Sequence, residues 1–388
     1  MAVSDRRRVT APADQTIWKA HREHLAGLDR QDRLRTLAKS SGTDFSSNDY
    51  LGLAASARLA QAVARASAEG VPVGSSGSRL LRGNHPEHEA LEAEAATHFG
   101  SATALFFSSG YAANSALFST LPQQGDLIVH DLLIHASARE GIRLSRAKAI
   151  AAGHNDPQAI DDAIVSWRKD GNTGQPWIAI ESLYSMDGDR SPLEELAVIA
   201  ERHGAMLLID EAHATGVFGE RGRGLAERLE GQENVISLRT CGKALGCEGA
   251  LVCGPRTMRD FLINRARQFI FSTAPSPLIA SAVREALKIL ADEPERQAAL
   301  HKLMTFARDA FTRLGIEWPG SQIIPVPLGS EASTLVAASK LQDAGFDVRA
   351  IRPPTVPEGS SRLRISLTLN VTADDVRALA GALEAALP

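Results

Sequence analysis

"LLIDEAHATGVFG", residues 207–219, is the stretch whose reading decides the fold. An unbroken apolar run ends in Asp210 and Glu211, and His213 follows three residues after Asp210. A short, continuously apolar run that stops at polar and glycine residues reads as a strand buried on both faces of a parallel sheet. In open α/β sheets the ligand site lies beyond the carboxyl ends of such strands, which is where Asp210 and His213 fall.

The same pattern repeats on either side. "ATALFFSSG" precedes the helical "YAANSALFSTL", "DLIVHD" precedes "HASAREGIRLS", and "AKAIAAG" precedes "DPQAIDDAIVSWRK". "PWIAIESLYS" precedes "PLEELAVIAERHG", and "NVISLRTCG" follows the deciding stretch. Strands alternating with amphipathic helices predict βαβ units and a mainly parallel sheet between helices, an α/β fold. From about Pro277 the pattern changes to two long helices, 278–292 and 293–314. "QIIPVPL", "EASTLVAASKLQDAG", "FDVRAI", "SRLRISLTL" and a final helix complete a smaller α+β domain. The expected organisation is an N-terminal helical segment (1–45), a large domain (46–285) and a small C-terminal domain (286–388). A polar helix is expected over residues 13–39.

With 388 residues, 44% hydrophobic and 23% charged, the chain has ample material for a buried core. Its net charge of -4 offers no basic field, so neither nucleic acid nor an anionic membrane is an expected partner. The arginines of "DRRRV" (5–9) read as a short tail. Cys241, Cys247 and Cys253 form no CxxC pair, so neither disulfides nor a metal site is expected. They suit a reducing compartment, and with no leader-like or membrane-length apolar run the expectation is a soluble, cytoplasmic protein.

Candidate chemistry centres on Lys243, in "SLRTCGKALG" (237–246). An amine among small residues with no carboxylate in its own stretch has a depressed pKa and room beside it for a ligand. Taken singly, Asp210 and His213 are equally well a loop aspartate and a structural histidine. With Lys243 following them, Asp210 can hold a protonated pyridine nitrogen while Lys243 takes the aldehyde of pyridoxal 5'-phosphate. "SSGYAANSAL" offers hydroxyls and a glycine at a helix start, as an ordinary cap or as a phosphate cradle, and Ser237 and Thr240 can add hydroxyls. "GSSGSRLLRG" lacks GxGxxG spacing, and "CGKAL" lacks the first glycine of a Walker A loop.

The stretches "FSSNDYLGL", "GSRLLRGNHPEHEALE", "SSGYAAN", "HASAREG", "HND", "ESLYSMDGD", "PLEEL", "DEAHATGVFGERGRG", "GKALG" and "SRLRISLTL" together span roughly 330 residues. In this order the chain resembles the α-oxoamine synthases, a family of fold-type I pyridoxal phosphate enzymes. The resemblance implies a large domain with a mostly parallel seven-stranded sheet and sites built across a homodimer interface. Lys243 would carry the cofactor and move the α-proton of an amino acid. Asp210 would pair with the ring nitrogen, His213 and Ser185 with the ring oxygen, and His135 would stack on the ring. Glu181 would belong to the same cofactor-binding set. Gly110, Tyr111 and Thr240 would hold the phosphate, joined by Thr273 from the neighbouring subunit. Arg364, with Asn48, would take the amino-acid carboxylate. Arg352, Thr355 and an N-terminal arginine, Arg30 or Arg33, would face the acyl donor. "IRPPTVPEGSSRLRISL" points within the family to condensation of L-alanine with pimeloyl-CoA or a pimeloyl carrier protein. Glycine- or serine-using members are the alternative. A regulator on the same fold would need an appended DNA-binding domain, and a pseudoenzyme would lack Lys243 or Asp210.

Overall fold

The computed structural model describes residues 17–37 and 39–387; the "DRRRV" cluster lies outside them. A seven-stranded sheet carries β2 (Thr103–Phe107), β3 (Leu127–Asp131), β4 (Lys148–Ala152), β5 (Pro176–Glu181), β6 (Met206–Asp210), β7 (Val235–Thr240) and β8 (Ala250–Gly254). Its order is β2-β8-β7-β6-β5-β3-β4. β3 to β7 run parallel, whereas β8 is antiparallel to both β7 and β2. The reason lies in the connection. Residues 241–249 are too few for the crossover of about a dozen residues that a parallel partner needs. The chain turns straight back, and Lys243 sits in that turn.

Alternate side chains enter separate cores on the two faces of the sheet. Ile128, Leu208 and Leu238 point into one, and Leu127, Val129, Leu207 and Ile209 into the other. Both faces are therefore apolar, which is why these strands read as continuous hydrophobic runs.

A third core joins the large sheet's flank to the small domain, from Phe45 and Leu51 through Ala286 and Leu290 to Ile365 and Leu379. The small sheet has the antiparallel order β11 (Arg349–Ile351), β12 (Ser361–Ser366), β9 (Ile323–Gly329). β1 (Thr43–Asp44) pairs in parallel with β10 (Phe346–Asp347), and the Ser366 amide donates to the Phe45 carbonyl at 2.8 Å. "FSSNDYLGL" is thereby pinned to the small domain, with Asn48 and Tyr50 facing the large one. The expected division at 285/286 falls inside the helix Pro277–Asp292. There Glu285 takes Arg58 at 2.6 Å, and Arg58 also reaches Asp292 and Glu293.

The N-terminal helix Lys19–Arg30 ends earlier than expected, at Arg30. Asp32 adopts a left-handed φ of 55°, and the Arg33 amide turns back to the Leu28 carbonyl at 2.8 Å. That turn ends the helix and redirects residues 33–37 along the small domain.

Candidate active site

A cavity of about 380 Å³ opens at the carboxyl ends of β5, β6 and β7, lined by Asn48, Gly110, His135, Asp210, His213 and Lys243 among others. Asp210 closes its floor. Its carboxylate accepts from Asn114 Nδ2 at 2.8 Å and from the Ala212 amide at 2.9 Å, so both oxygens are oriented. Glu181 is its register neighbour on β5. Burial first, and the Asp210 charge second, push the Glu181 carboxyl well above the carboxylate range. Its Oε1 has no protein partner among the described residues. Lys243 makes no hydrogen bond or ion pair there either; desolvation lowers its amine to about 8 against the pull of Asp210 and Glu181.

Both cavity histidines are neutral at pH 7. Burial, then the nearby Lys243 and Arg364 charges, hold His213 well below its usual value. Its Nδ1 meets Tyr50 Oη at 2.6 Å. His135 is lowered mainly by burial, and its Nδ1 accepts the Ser137 amide at the start of the helix Ala136–Arg143. Cys247 lines the cavity too, its thiol pushed up to about 12 by burial, so it stays protonated.

At the other end of the cavity begins the helix Gly110–Thr120, capped by Ser109 Oγ, which accepts the Ala112 amide at 3.1 Å. The first turn's amides lack intrahelical acceptors and favour an anion. A Cβ on Gly110 would stand 2.6 Å from Thr240 Cγ2, so only glycine lets the backbone and Thr240 meet there. Thr240 lines the cavity and Tyr111 lies at its rim, exposed. These groups fit pyridoxal phosphate. A carboxylate is oriented for the ring nitrogen, neutral imidazoles line the walls, an amine is at hand, and the helix start takes the phosphate.

The structure does not bring every expected residue to this cavity. Ser237 lies inside the sheet, buried. Thr273 is exposed and away from its own chain's cavity. Ser185 lines an adjoining channel of about 710 Å³, shared with His135, Arg139, Tyr184, Asp187 and Thr355. The Ser185 carbonyl accepts Arg364 Nε at 2.7 Å. Arg364 also donates to Ser366 Oγ at 2.7 Å and to Asn48 Oδ1 at 3.0 Å, and no carboxylate pairs with it among the described residues. Three arginines expected at the acyl donor have other surroundings within this chain. Arg30 ends an exposed helix, Arg33 is taken by Glu331 at 2.6 Å, and Arg352 turns to the Asp32 carbonyl on another groove. Of the N-terminal arginines it is Arg35 that reaches the channel, where its Nη2 donates to Thr355 Oγ1 at 3.2 Å. Sequence reasoning also missed Asn114 and Tyr50. "YAAN" places Asn114 one turn after Gly110, on the cavity side, which is a signal that was there to find.

The family model of aminotransferase class I and II matches residues 40–383. The 8-amino-7-oxononanoate synthase of Anaeromyxobacter dehalogenans (strain 2CP-1) is 44% identical over 345 residues, 88% of this chain and 85% of that one. Its namesake from Mycobacterium sp. (strain JLS) is 40% identical, covering 95% and 96%. Among solved structures, the 8-amino-7-oxononanoate synthase of Francisella tularensis superposes with a TM-score of 0.76 at 30% identity, covering 89% and 98%. A serine palmitoyltransferase from S. paucimobilis, solved with a bound PLP–myriocin aldimine, gives 0.86 at 25% identity, covering 96% and 98%. Family match, fold and cavity chemistry agree: the chain belongs to the aminotransferase class I and II family, among the 8-amino-7-oxononanoate synthases, which are pyridoxal phosphate-dependent acyltransferases.

Proposed function

We propose that the protein condenses L-alanine with a pimeloyl thioester, on CoA or a carrier protein, to give 8-amino-7-oxononanoate, a step of biotin biosynthesis. A carbon–carbon bond forms between the alanine α-carbon and the thioester carbonyl. The thiol leaves, and the alanine carboxylate departs as carbon dioxide. Bound pyridoxal phosphate supplies the electron sink that stabilises charge on the α-carbon.

The observation that carries this reading is Arg364. A buried guanidinium whose acceptors are all neutral is matched to a carboxylate brought by a substrate. Its partners Asn48 and Ser185 line the cofactor cavity and the channel respectively, so an amino acid held by its carboxylate there would have Lys243 on one side and an acyl chain's path on the other. Lys243 Nζ, its pKa near 8, can take the α-proton and return it. Asp210 would hold the ring nitrogen. His135, shared by cavity and channel, would cover the ring and border the thioester. Arg35, beside Thr355, supplies a counter-charge for the distal carboxylate of a pimeloyl chain.

The reading includes a homodimer in the cytoplasm. Leu81 and Phe271 expose apolar side chains around the paired loops 73–83 and 271–276, where Thr273 lies, and a second copy would cover them. The three free cysteines suit a reducing compartment.

The deciding assay incubates the loaded enzyme with pimeloyl-CoA and L-alanine, glycine or L-serine, and identifies the product by mass. Formation of 8-amino-7-oxononanoate with alanine in preference to the others is expected; a glycine or serine product would keep the family and overturn the substrate. Arg364→Lys is expected to raise KM for alanine about 10- to 100-fold, the worth of one or two charged hydrogen bonds, with KM for pimeloyl-CoA little changed. Equal effects on both substrates would argue against the carboxylate role. Since only a neutral amine attacks an aldehyde, cofactor uptake by the cofactor-free protein should accelerate as pH rises through about 8. A rate, followed by absorbance, that keeps climbing through pH ~9.5 instead of levelling off above about 8 would contradict a depressed Lys243.

A further inference from the structure

Two loops form facing walls of the acyl channel, residues 131–136 and the hairpin 183–190. The hairpin is closed by a Leu183–Arg190 bridge and by the Tyr184 amide on the Asp189 carbonyl at 3.0 Å. Each wall is anchored by one carboxylate, and both carboxylates converge on a single ring. His154 Nδ1 lies 2.9 Å from Asp131 Oδ1, and its Nε2 lies 2.9 Å from Asp189 Oδ2. Asp131 Oδ1 in turn accepts the Leu133 amide at 2.7 Å, shaping the loop that leads to His135. The ring meets Tyr184 edge-on, with centroids 4.5 Å apart. Asn155, at a left-handed φ of 50°, adds its amide to Asp131 and its side chain to Asp189, both within 2.8 Å. None of these groups lines the cofactor cavity.

We propose that His154 is a positioning residue for the acyl donor: by bridging Asp131 and Asp189 it fixes both channel walls. A neutral imidazole can donate from only one nitrogen, whereas both nitrogens here face carboxylates, so the bridge requires the imidazolium. Burial alone would lower its pKa, but hydrogen bonds to Asp131 and Asp189 outweigh it and carry it to about 10. Asp131, Asp189 and Tyr184 are the titratable groups that face it. One Asp189 oxygen has no partner among the described residues, which leaves His154 as that carboxylate's cation. A histidine serving stability alone would have no reason to join two segments whose common product is the channel.

This inference rests on the acyl-transfer reading above, and its test separates the two. In the loaded His154→Gln enzyme, KM for pimeloyl-CoA is expected to rise about tenfold, the loss of one charge-assisted hydrogen bond. KM for L-alanine should stay within about twofold, with the cofactor's visible band unchanged. Amide exchange should accelerate at Leu133, Tyr184 and Gly188 ahead of the sheet. A lower denaturation midpoint with both KM values unchanged would overturn the proposal, as would a proportional loss in both substrates. Should His154→Gln fail to fold, Asp189→Asn keeps the Asp131 pair and is expected to show the same split; no split there refutes the inference. If the wild type turns over no acyl thioester, the functional reading fails, and exchange in the two loops still decides the bridge: unchanged exchange in His154→Gln sinks it.

Discussion

Replacing Lys243 by alanine is expected to lower turnover of L-alanine and pimeloyl-CoA by at least about 10⁴-fold, the upper range of what a positioned base supplies. The protein should still fold, because Lys243 makes no hydrogen bond or ion pair among the described residues and its turn is held by others. The Cys241 amide bonds the Gly249 carbonyl at 2.9 Å and the Cys247 amide bonds the Cys241 carbonyl at 2.8 Å. Noncovalent cofactor binding should also survive, since the Asp210 carboxylate, the histidines and the Gly110 cradle remain. The variant should therefore lose its cofactor on dialysis where the wild type retains it. Lys243→Arg keeps a cation but no amine that can be deprotonated near pH 8, so it should be equally inactive. Turnover within tenfold of wild type in either variant would remove Lys243 from the mechanism. A folded alanine variant that cannot bind pyridoxal phosphate at all would show that the cradle contributes little.

Lys243 could be read in the sequence for the same physical reason that makes it reactive. A strand end followed by small residues leaves an amine short of partners, and the short return to β8 keeps it there. Asp210 was legible because a continuously apolar strand must be covered on both faces, so its first carboxylate falls at the sheet's edge. What holds these residues was not legible. Asn114 reaches Asp210 across 96 positions and Tyr50 reaches His213 across 163, distances that no local pattern encodes. One backbone detail decides which N-terminal arginine comes to the channel. The left-handed Asp32 ends the helix early, hands its carbonyl to Arg352 and carries the chain on, so that Arg35 instead of Arg30 or Arg33 reaches Thr355. "HND" could be quoted as a motif, but the two carboxylates on His154 come from separate loops that only the folded sheet aligns.

The largest stability effect is expected one residue beyond Asp210. Glu211 is fully buried, its backbone carbonyl accepts the Thr215 amide at 2.8 Å, and it thereby shapes the turn that carries His213. Its side chain faces Arg239, also fully buried, at 3.5 Å; Arg239 reaches Glu230 at 2.5 Å and lies over the Phe99 ring. Gly224 makes this packing possible, since a Cβ there would stand 1.5 Å from Glu211 Oε2. Arg239→Met keeps much of the volume and strands two buried carboxylates, which should cost about 3–5 kcal/mol of unfolding free energy. The charge origin has a pH signature. Burial raises Glu211 to about 7 even with Arg239 opposing it, above the unfolded value of about 4.3. Between those values the folded state holds a proton that the unfolded state has released, so this group's contribution falls as pH rises and recovers on acidification. Without the guanidinium the carboxyl rises further and the loss extends above pH 7. The deficit of Arg239→Met against wild type, read from urea midpoints, should therefore be larger at pH 8 than at pH 5.5. Titrating groups remote from Arg239 are common to both proteins and cancel in that difference. A deficit equal at both pH values would assign the role of Arg239 to packing on Phe99 and leave Glu211 as a carboxyl that is neutral in either protein.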